Sequence, residues 1–316
     1  MDCFIRQIYI RLLGISANIR KSTTWFYLMT MRMVTKLVVY MKHVDLGNLK
    51  VSRLAMGCAN IGQAYAGRRP LDEGEAIDLI EYAIEHGINL FDTAPSYGDS
   101  ERILGKALRL HPGVFRATKV DLCDRKWRDK LRKSQDHLGG VDILQVHNAT
   151  EMSVPLVGEI AGDWLIGASV YDPSIAKTLA CSSKFQVLQV PFNLLDQRFA
   201  KLFALARRQK VALILRSPLL QGMLTQRAKS SQIHRKVVDD LRAKFGKTWR
   251  NLPSFAIRFA LDQRKVVLGS FGDITELRLA LAAETISRID TTFREAVMPT
   301  HDVACSDAQV IDPRLW

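Results

Sequence analysis

A (β/α)8 TIM barrel in a single domain is the fold this sequence predicts, and three observations predict it. From Val51 onward, short apolar runs alternate with amphipathic stretches of helix length. Gly, Pro or Asp residues mark the joints. Asp92, Lys119 and His147 each close one of the apolar runs, at intervals of 27 and 28 residues. Those intervals approach the roughly 31 residues per unit expected when about 250 residues make eight βα units. Parallel strands wound in succession bring their C-terminal ends to one face, so a carboxylate, an ammonium and an imidazole should meet there.

The elements follow in order. A first strand falls at 53–56, before a helix over 71–86 whose Ala76, Ile77, Ile80, Ala83 and Ile84 share one face. The second strand ends at Phe91 and is followed by a helix over 100–110. A third strand ends at Lys119, a helix covers 124–138, and a fourth strand ends at His147. Only residues 148–162 separate it from the fifth strand at 164–169, so the helix between them must be short. The remaining strands read as 186–190, 211–216 and 265–268. Their helices read as 173–181, 197–209, 237–245 with 254–263, and 274–286. This divides the chain into a basic extension at 1–40, a barrel at 41–296 and a tail at 297–316.

A chain of 316 residues with 47% hydrophobic content can bury a core of that size. Its five cysteines are odd in number, widely separated and without C-x-x-C spacing, which argues against a disulfide framework and against a metal site. A reducing cytoplasm suits them. Of the net charge of +13, the first forty residues supply +5, with Arg6, Arg11, Arg20, Lys21, Arg32 and Lys36 against Asp2. Elsewhere it is scattered over helix faces with no aromatic interleaving, so a nucleic-acid partner is not expected. The apolar run at 25–40 is interrupted by Arg32 and Lys36 and makes a poor membrane span. An order-poor extension preceding a start at Met41 is the simpler expectation.

The predicted strand ends carry a coherent chemistry. A phenol ionises near pH 10, a neighbouring cation favours the phenolate, and a carboxylate paired with that cation fixes its position. Tyr97, five residues after Asp92, thereby becomes a proton donor to a carbonyl oxygen, with Lys119 and Asp92 behind it. The His147 imidazole at the same mouth can orient that carbonyl. Reduction also needs hydride, which no side chain delivers, so a nicotinamide is implied. No G-x-G-x-x-G follows an early strand, which leaves the loops after the later strands to hold it. Taken singly, Asp92 reads as a turn cap, Lys119 as a solvated strand end and His147 as a rim histidine; together at successive strand ends they point to a site. Cys58 and Cys123 have no partner base and read as bystanders.

The run Gly87-Ile88-Asn89-Leu90-Phe91-Asp92-Thr93-Ala94-Pro95-Ser96-Tyr97-Gly98 resembles the aldo-keto reductase motif G-[IV]-x-x-[FI]-D-T-A-x-x-Y-G. That resemblance, which extends over about 44–283, implies a catalytic tetrad of Asp92, Tyr97, Lys119 and His147 with Tyr97 as general acid. It implies carboxamide contacts from Ser169 and Gln189, and pyrophosphate and ribose contacts from Ser217, Leu219 and Gly222. It also implies a phosphate loop at Gly269 and Ser270, and a 2′-phosphate contact at Arg278 that favours NADP(H) over NAD(H). The chain departs from the family at three places: Val170 follows Ser169 where Asn is usual, Arg216 replaces a stacking Tyr, and Leu279-Ala280 replaces a Glu-Asn pair. Arg216 retains a planar guanidinium able to stack on a ring. Tyr65, Trp127 and Phe192 are the candidate substrate-binding residues, and the substrate is a small aldehyde or ketone. Two competing readings are a non-catalytic nucleotide-sensing subunit of the same fold, and a lyase or isomerase using Lys119 as a Schiff base. The intact tetrad weighs against the first, and the Asp92 partner, which keeps the amine charged, against the second.

Overall fold

The computed structural model describes residues 41–65, 68–160, 162–225, 243 and 252–285. The 1–40 extension, the 297–316 tail and, apart from helical Ala243, the predicted 237–245 helix lie outside the described residues. Eight parallel strands close into a barrel: β3 (Leu54–Gly57), β4 (Leu90–Asp92), β5 (Phe115–Val120), β6 (Ile143–Val146), β7 (Leu165–Ser169), β8 (Val187–Pro191), β9 (Ala212–Arg216) and β10 (Val266–Gly269). They pair in sequence order, and β10 closes the ring against β3 through Val267↔Leu54 to Gly269↔Met56. The predicted fold is the observed one.

A hairpin that the sequence reading did not anticipate precedes the barrel. Strands β1 (His43–Leu46) and β2 (Leu49–Ser52) pair antiparallel across a two-residue turn in which Gly47 has φ +61°. Leu46 and Val51 of this hairpin join Ala55, Leu90, Ala117, Ile143, Val187, Ile214 and Val266 in one buried cluster. Those residues point inward from the lower parts of the strands, so the hairpin plugs the N-terminal end. The residues between them, among them Phe91, Leu144, Leu188, Leu215 and Val267, point outward into two further clusters beneath the helices. This period-2 alternation, buried on both faces, explains why the strands read as continuous apolar runs.

The surrounding helices have local causes. Helix α2 (Glu73–Glu85), which follows a single turn α1 (Ala59–Gly62), starts with a capping box. Asp72 accepts from the Glu75 amide at 2.8 Å, and Glu75 accepts from the Asp72 amide at 3.1 Å. Helix α3 (Ser100–Leu108) is tied to its neighbours by buried Glu101, which accepts from Thr118 and from Ser134 of α4 (Trp127–Leu138). Helix α4 stops at Gly139, whose φ of +69° suits glycine. After β6 the connection holds only α5 (Ser153–Leu156) and a 3-10 turn, as its length required. Helix α6 (Pro173–Cys181) carries Asp172 as its cap and Pro at the first turn. Helix α7 (Leu202–Arg208) begins later than the sequence suggested. The reason is that the Asn193 side chain accepts from the Leu195 and Asp196 amides, and Asp196 pairs with Arg198, holding this stretch in turns. Helices α8 (Leu252–Leu261) and α9 (Ile274–Thr285) complete the shell. No helix among the described residues is long and apolar enough to cross a membrane.

Candidate active site

Two residues above the apolar barrel layers, the inward positions become polar. Leu90 is followed by Asp92, Ala117 by Lys119, Ile143 by Gln145, Val187 by Gln189 and Ile214 by Arg216. Strand alternation thus carries the predicted ionisable residues to the C-terminal mouth. Two glycines make room: Gly167 faces the Gln145 side chain, and a Cβ at Gly57 would come within 2.6 Å of Ser270 Oγ.

Asp92 and Lys119 are 3% and 2% exposed, so their charges are taken almost wholly out of water. Lys119 Nζ donates to Asp92 Oδ1 at 2.5 Å and to the Thr93 carbonyl at 2.8 Å. The second carboxylate oxygen accepts from Gln145 Nε2 at 2.7 Å and Gln189 Nε2 at 2.9 Å. Burial works to lower the Lys119 pKa, but the Asp92 carboxylate, and after it the Tyr97 phenol, reverse this and hold it above its ordinary value. The amine is therefore a fixed cation.

Tyr97 lies over that cation, with Lys119 Nζ 5.0 Å from its ring centre. Its loop is clamped. Tyr97 donates its amide to the Ala94 carbonyl at 3.0 Å, and Thr93 donates through Ser100 to the Cys58 carbonyl. The backbones of Gly62 and Gly98 touch, so that a Cβ on either would collide with the other segment, and Gly98 has φ +58°. Such an approach admits only glycine. His147 stands edge-on to Tyr97, ring centres 6.3 Å apart. Burial, then the Lys119 charge, push its pKa down to about 4. It is neutral at ordinary pH and presents a donor rather than a charge.

A cavity of about 530 Å³ opens above these groups, lined by Asp92, Tyr97 and His147 and by most of the sequence-predicted ligand residues. Ser169, Gln189, Arg216, Ser217, Leu219, Gly222, Gly269 and Ser270 all border it, as does Tyr65. Burial, then the neighbouring Tyr97, push the Tyr65 pKa up to about 12, so it stays a neutral phenol. The loop after β9 fits a backbone cradle for an anion: Ser217, Leu220 and Gln221 have φ of +59°, +43° and +49°, and Gly222 +93°. So many left-handed residues in six positions mark a strained loop. Opposite it, Arg68 lies on Gly272, where a Cβ would collide with its guanidinium, and pairs with Glu276 at the start of α9. These features fit a phosphorylated dinucleotide.

Three predicted residues lie elsewhere. Trp127 begins α4 and is buried beneath Arg128, whose guanidinium is 4.4 Å from its ring. Phe192 stacks on Phe259 at 5.5 Å outside the barrel, because it is three residues past inward Gln189 and so faces the helices. Arg278 is exposed and donates to Tyr82 Oη at 2.9 Å. Neither Trp127, Phe192 nor Arg278 borders the cavity. Arg216 is already stacked, on Tyr171 at 3.8 Å. Conversely, Gln145, which holds Asp92, was missed, although its place two residues before His147 gives it the same inward face. Cys58 is fully buried, and burial followed by the Asp92 charge raises its thiol pKa far above the nucleophilic range.

A (β/α)8 barrel with a buried lysine–carboxylate pair under a phenol and a neutral imidazole defines a class, the barrel oxidoreductases that use a nicotinamide nucleotide. The family model of the aldo/keto reductase family matches residues 53–294, and the chain belongs to that family. Among its relatives, an uncharacterised oxidoreductase of Bacillus subtilis is 25% identical over 57% of this chain and 65% of its own length. The NADH-specific methylglyoxal reductase of Escherichia coli is 27% identical over 58% of this chain and 69% of its own length. The match thus spans about two thirds of these relatives. The holo aldo-keto reductase of Bacillus halodurans superposes with a TM-score of 0.70 at 20% identity, covering 84% of this chain and 98% of that one, which supports the fold.

Proposed function

We propose that the protein reduces an aldehyde or ketone to an alcohol, reversibly, with Tyr97 as the general acid. The observation that carries this reading is the buried Lys119 ammonium, held between Asp92 and the Tyr97 phenol directly beneath the cavity. A bound nicotinamide nucleotide supplies the hydride. Neutral His147 donates an N–H to the carbonyl oxygen and turns it towards Tyr97, whose hydroxyl gives up its proton as negative charge grows on that oxygen. Lys119 stabilises the phenolate left behind, and Asp92, pinned by Gln145 and Gln189, keeps the ammonium in place. Gln189 and Ser169 are assigned to the carboxamide, Ser217, Leu219 and Gly222 to the pyrophosphate and ribose, and Gly269 and Ser270 to the second phosphate side. Of the two dinucleotides we favour NADP(H). The support is the cavity-lining cation Arg68 against the Gly269–Gly272 loop, Arg278 itself being turned onto Tyr82 outside the cavity, although a relative is NADH-specific. Three free cysteines among the described residues suit a cytoplasmic location.

The test is to mix the protein with NADPH or NADH and a panel of small aldehydes and ketones and follow the loss of reduced-nicotinamide absorbance. Turnover with either nucleotide, falling by about 10²-fold or more in Tyr97→Phe, is expected. Cofactor binding without turnover, unaltered by Tyr97→Phe, would instead support the nucleotide-sensing role.

A further inference from the structure

Resting on the nicotinamide-nucleotide reading above, we infer that Glu276 is a built-in anion standing where the dinucleotide's 2′-phosphate binds, so that Glu276 and Arg68 together set the selectivity between NADP(H) and NAD(H). The two residues meet at the cavity wall, Arg68 from the loop before α2 and Glu276 from the first turn of α9. Arg68 Nη2 donates to Glu276 Oε1, and the Gly272 amide donates to Glu276 Oε2 at 2.9 Å. Each carboxylate oxygen thus sits on a different donor, and the guanidinium lies where a side chain at Gly272 would begin. The donors are held in place. Tyr65 and Arg68 exchange two backbone hydrogen bonds of 3.1 Å, and Asn60 of α1 donates to the Phe271 carbonyl at 2.5 Å.

A guanidinium and a backbone amide converging on two oxygens suit a phosphate as well as a carboxylate. The helix does not need Glu276 for its cap, because Asp273 Oδ1 already accepts from the Glu276 amide at 2.8 Å. Asp273-Ile274-Thr275-Glu276 has the spacing of a capping box, yet Glu276 takes the amide before the cap, at Gly272, and a cation from another loop. The Arg68 and Glu276 side chains are 25% and 19% exposed and both line the cavity, so a ligand can part them. With the nicotinamide at Tyr97 and the pyrophosphate in the Ser217–Gly222 turn, the adenosine end falls to the Gly269–Gly272 side. A 2′-phosphate arriving there gains Arg68 and the Gly272 amide only by turning Glu276 out, and the displaced carboxylate still faces it as a like charge. NADH, with a hydroxyl in that place, leaves the pair intact.

The experiment measures NADPH and NADH affinities by calorimetry on the full chain. Glu276→Gln, which keeps the shape and removes the charge, is expected to tighten NADPH about tenfold and to leave NADH within about twofold. Arg68→Gln is expected to weaken NADPH about tenfold, again with NADH nearly unchanged. Adenosine 2′-monophosphate against adenosine 5′-monophosphate repeats the comparison without a nicotinamide, and only the 2′ isomer should gain in Glu276→Gln. NADPH affinity that is unchanged or weaker in Glu276→Gln overturns the inference; weakening would make the carboxylate a ligand of the ribose hydroxyls. Equal tightening of NADPH and NADH overturns it too, because the phosphate at this point would then belong to the pyrophosphate. The expected affinity pattern with no carbonyl reduced upholds the inference and sinks the reductase reading, whereas turnover without that pattern does the reverse.

Discussion

The lower and upper halves of the barrel interior are made by the same strands, two residues apart, and they obey opposite rules. Below, Ala55, Leu90, Ala117, Ile143, Val187, Ile214 and Val266 interdigitate around the hairpin plug with no polar side chain among them. Above, Asp92, Lys119, Gln145 and Gln189 crowd ionised and amide groups into a space nearly as dry, with half-buried Arg216 at the cavity beside them. The lower half is stable because burial of apolar surface is favourable and shape is the only requirement. The upper half persists because Asp92 accepts from three donors and Lys119 donates to two acceptors. Fold and chemistry are thereby separated by a single step of the β repeat, and substitutions should separate them too.

Lys119→Met should break that separation most severely, because it removes one member of a buried pair and leaves Asp92 without its cation. Loss of about 3–5 kcal/mol in urea unfolding is expected, together with a fall in kcat of about 10²-fold or more. Tyr97→Phe is the control within the same layer: it should lose about 10²- to 10⁴-fold in kcat while the unfolding midpoint stays close to wild type. An equally destabilised Tyr97→Phe would mean that the upper layer holds the fold as much as the lower one does. Leu90→Ala or Ile143→Ala, two residues below Asp92 and Gln145, should show the reverse. Such truncations cost about 2–5 kcal/mol, with KM for the carbonyl substrate unchanged in the folded fraction.

The pH dependence sharpens the comparison. His147 has a folded pKa of about 4, against an ordinary value of 6.5. The unfolded chain therefore binds a proton there first as the pH falls, and stability drops between 6.5 and about 4 and then levels. Above 6.5 the group contributes no slope. Lys119 shifts the other way: its raised pKa gives a contribution present through neutral pH and lost only as the pH climbs through that raised value. The urea midpoint of wild type relative to His147→Gln should stay constant above pH 6.5 and fall as the pH drops from 6.5 to about 4. A wild-type kcat/KM for reduction that breaks near pH 6.5, and loses the break in His147→Gln, would show that the imidazole titrates in the open.

The upper layer was legible in the sequence wherever chemistry interrupted an apolar run. Asp92, Lys119 and His147 are charged or titratable residues at the ends of such runs, and Tyr97 lies in a motif too specific to arise by strand propensity. What was not legible depended on which way a side chain faces. Phe192 and Trp127 are large, apolar and close in sequence to site residues, yet the outward phase of the strand and the inner face of α4 send both into packing. Arg278 fell at a plausible helix position, but a partner from another element, Tyr82, sets where its guanidinium goes. The β1–β2 hairpin is two four-residue strands, too short for a periodic signal, and only the barrel floor it covers gives it a reason.

Gln145 marks the boundary between the two halves, with Ile143 one inward position below and His147 one above, and it offers the finest test. A glutamine inside a Val- and Leu-rich strand looks like a neutral interruption, so its role came only from the coordinates. Its Nε2 holds Asp92, while its Oε1 is buried with no partner. Gln145→Leu would remove a hydrogen bond to a charged acceptor, costing about 1.5–3 kcal/mol, but would also remove an orphaned oxygen whose desolvation costs about 1–3 kcal/mol. The two nearly cancel, and a change in unfolding free energy of less than about 1 kcal/mol is expected. Activity should respond more than stability, with kcat down by several-fold and KM held, because a carboxylate gripped by two donors instead of three positions Lys119 less firmly. Gln145→Glu, which keeps the shape but sets a second carboxylate beside Asp92, should instead lower both. A Gln145→Leu protein that loses stability but keeps full kcat would place the residue with the packing below it rather than with the chemistry above.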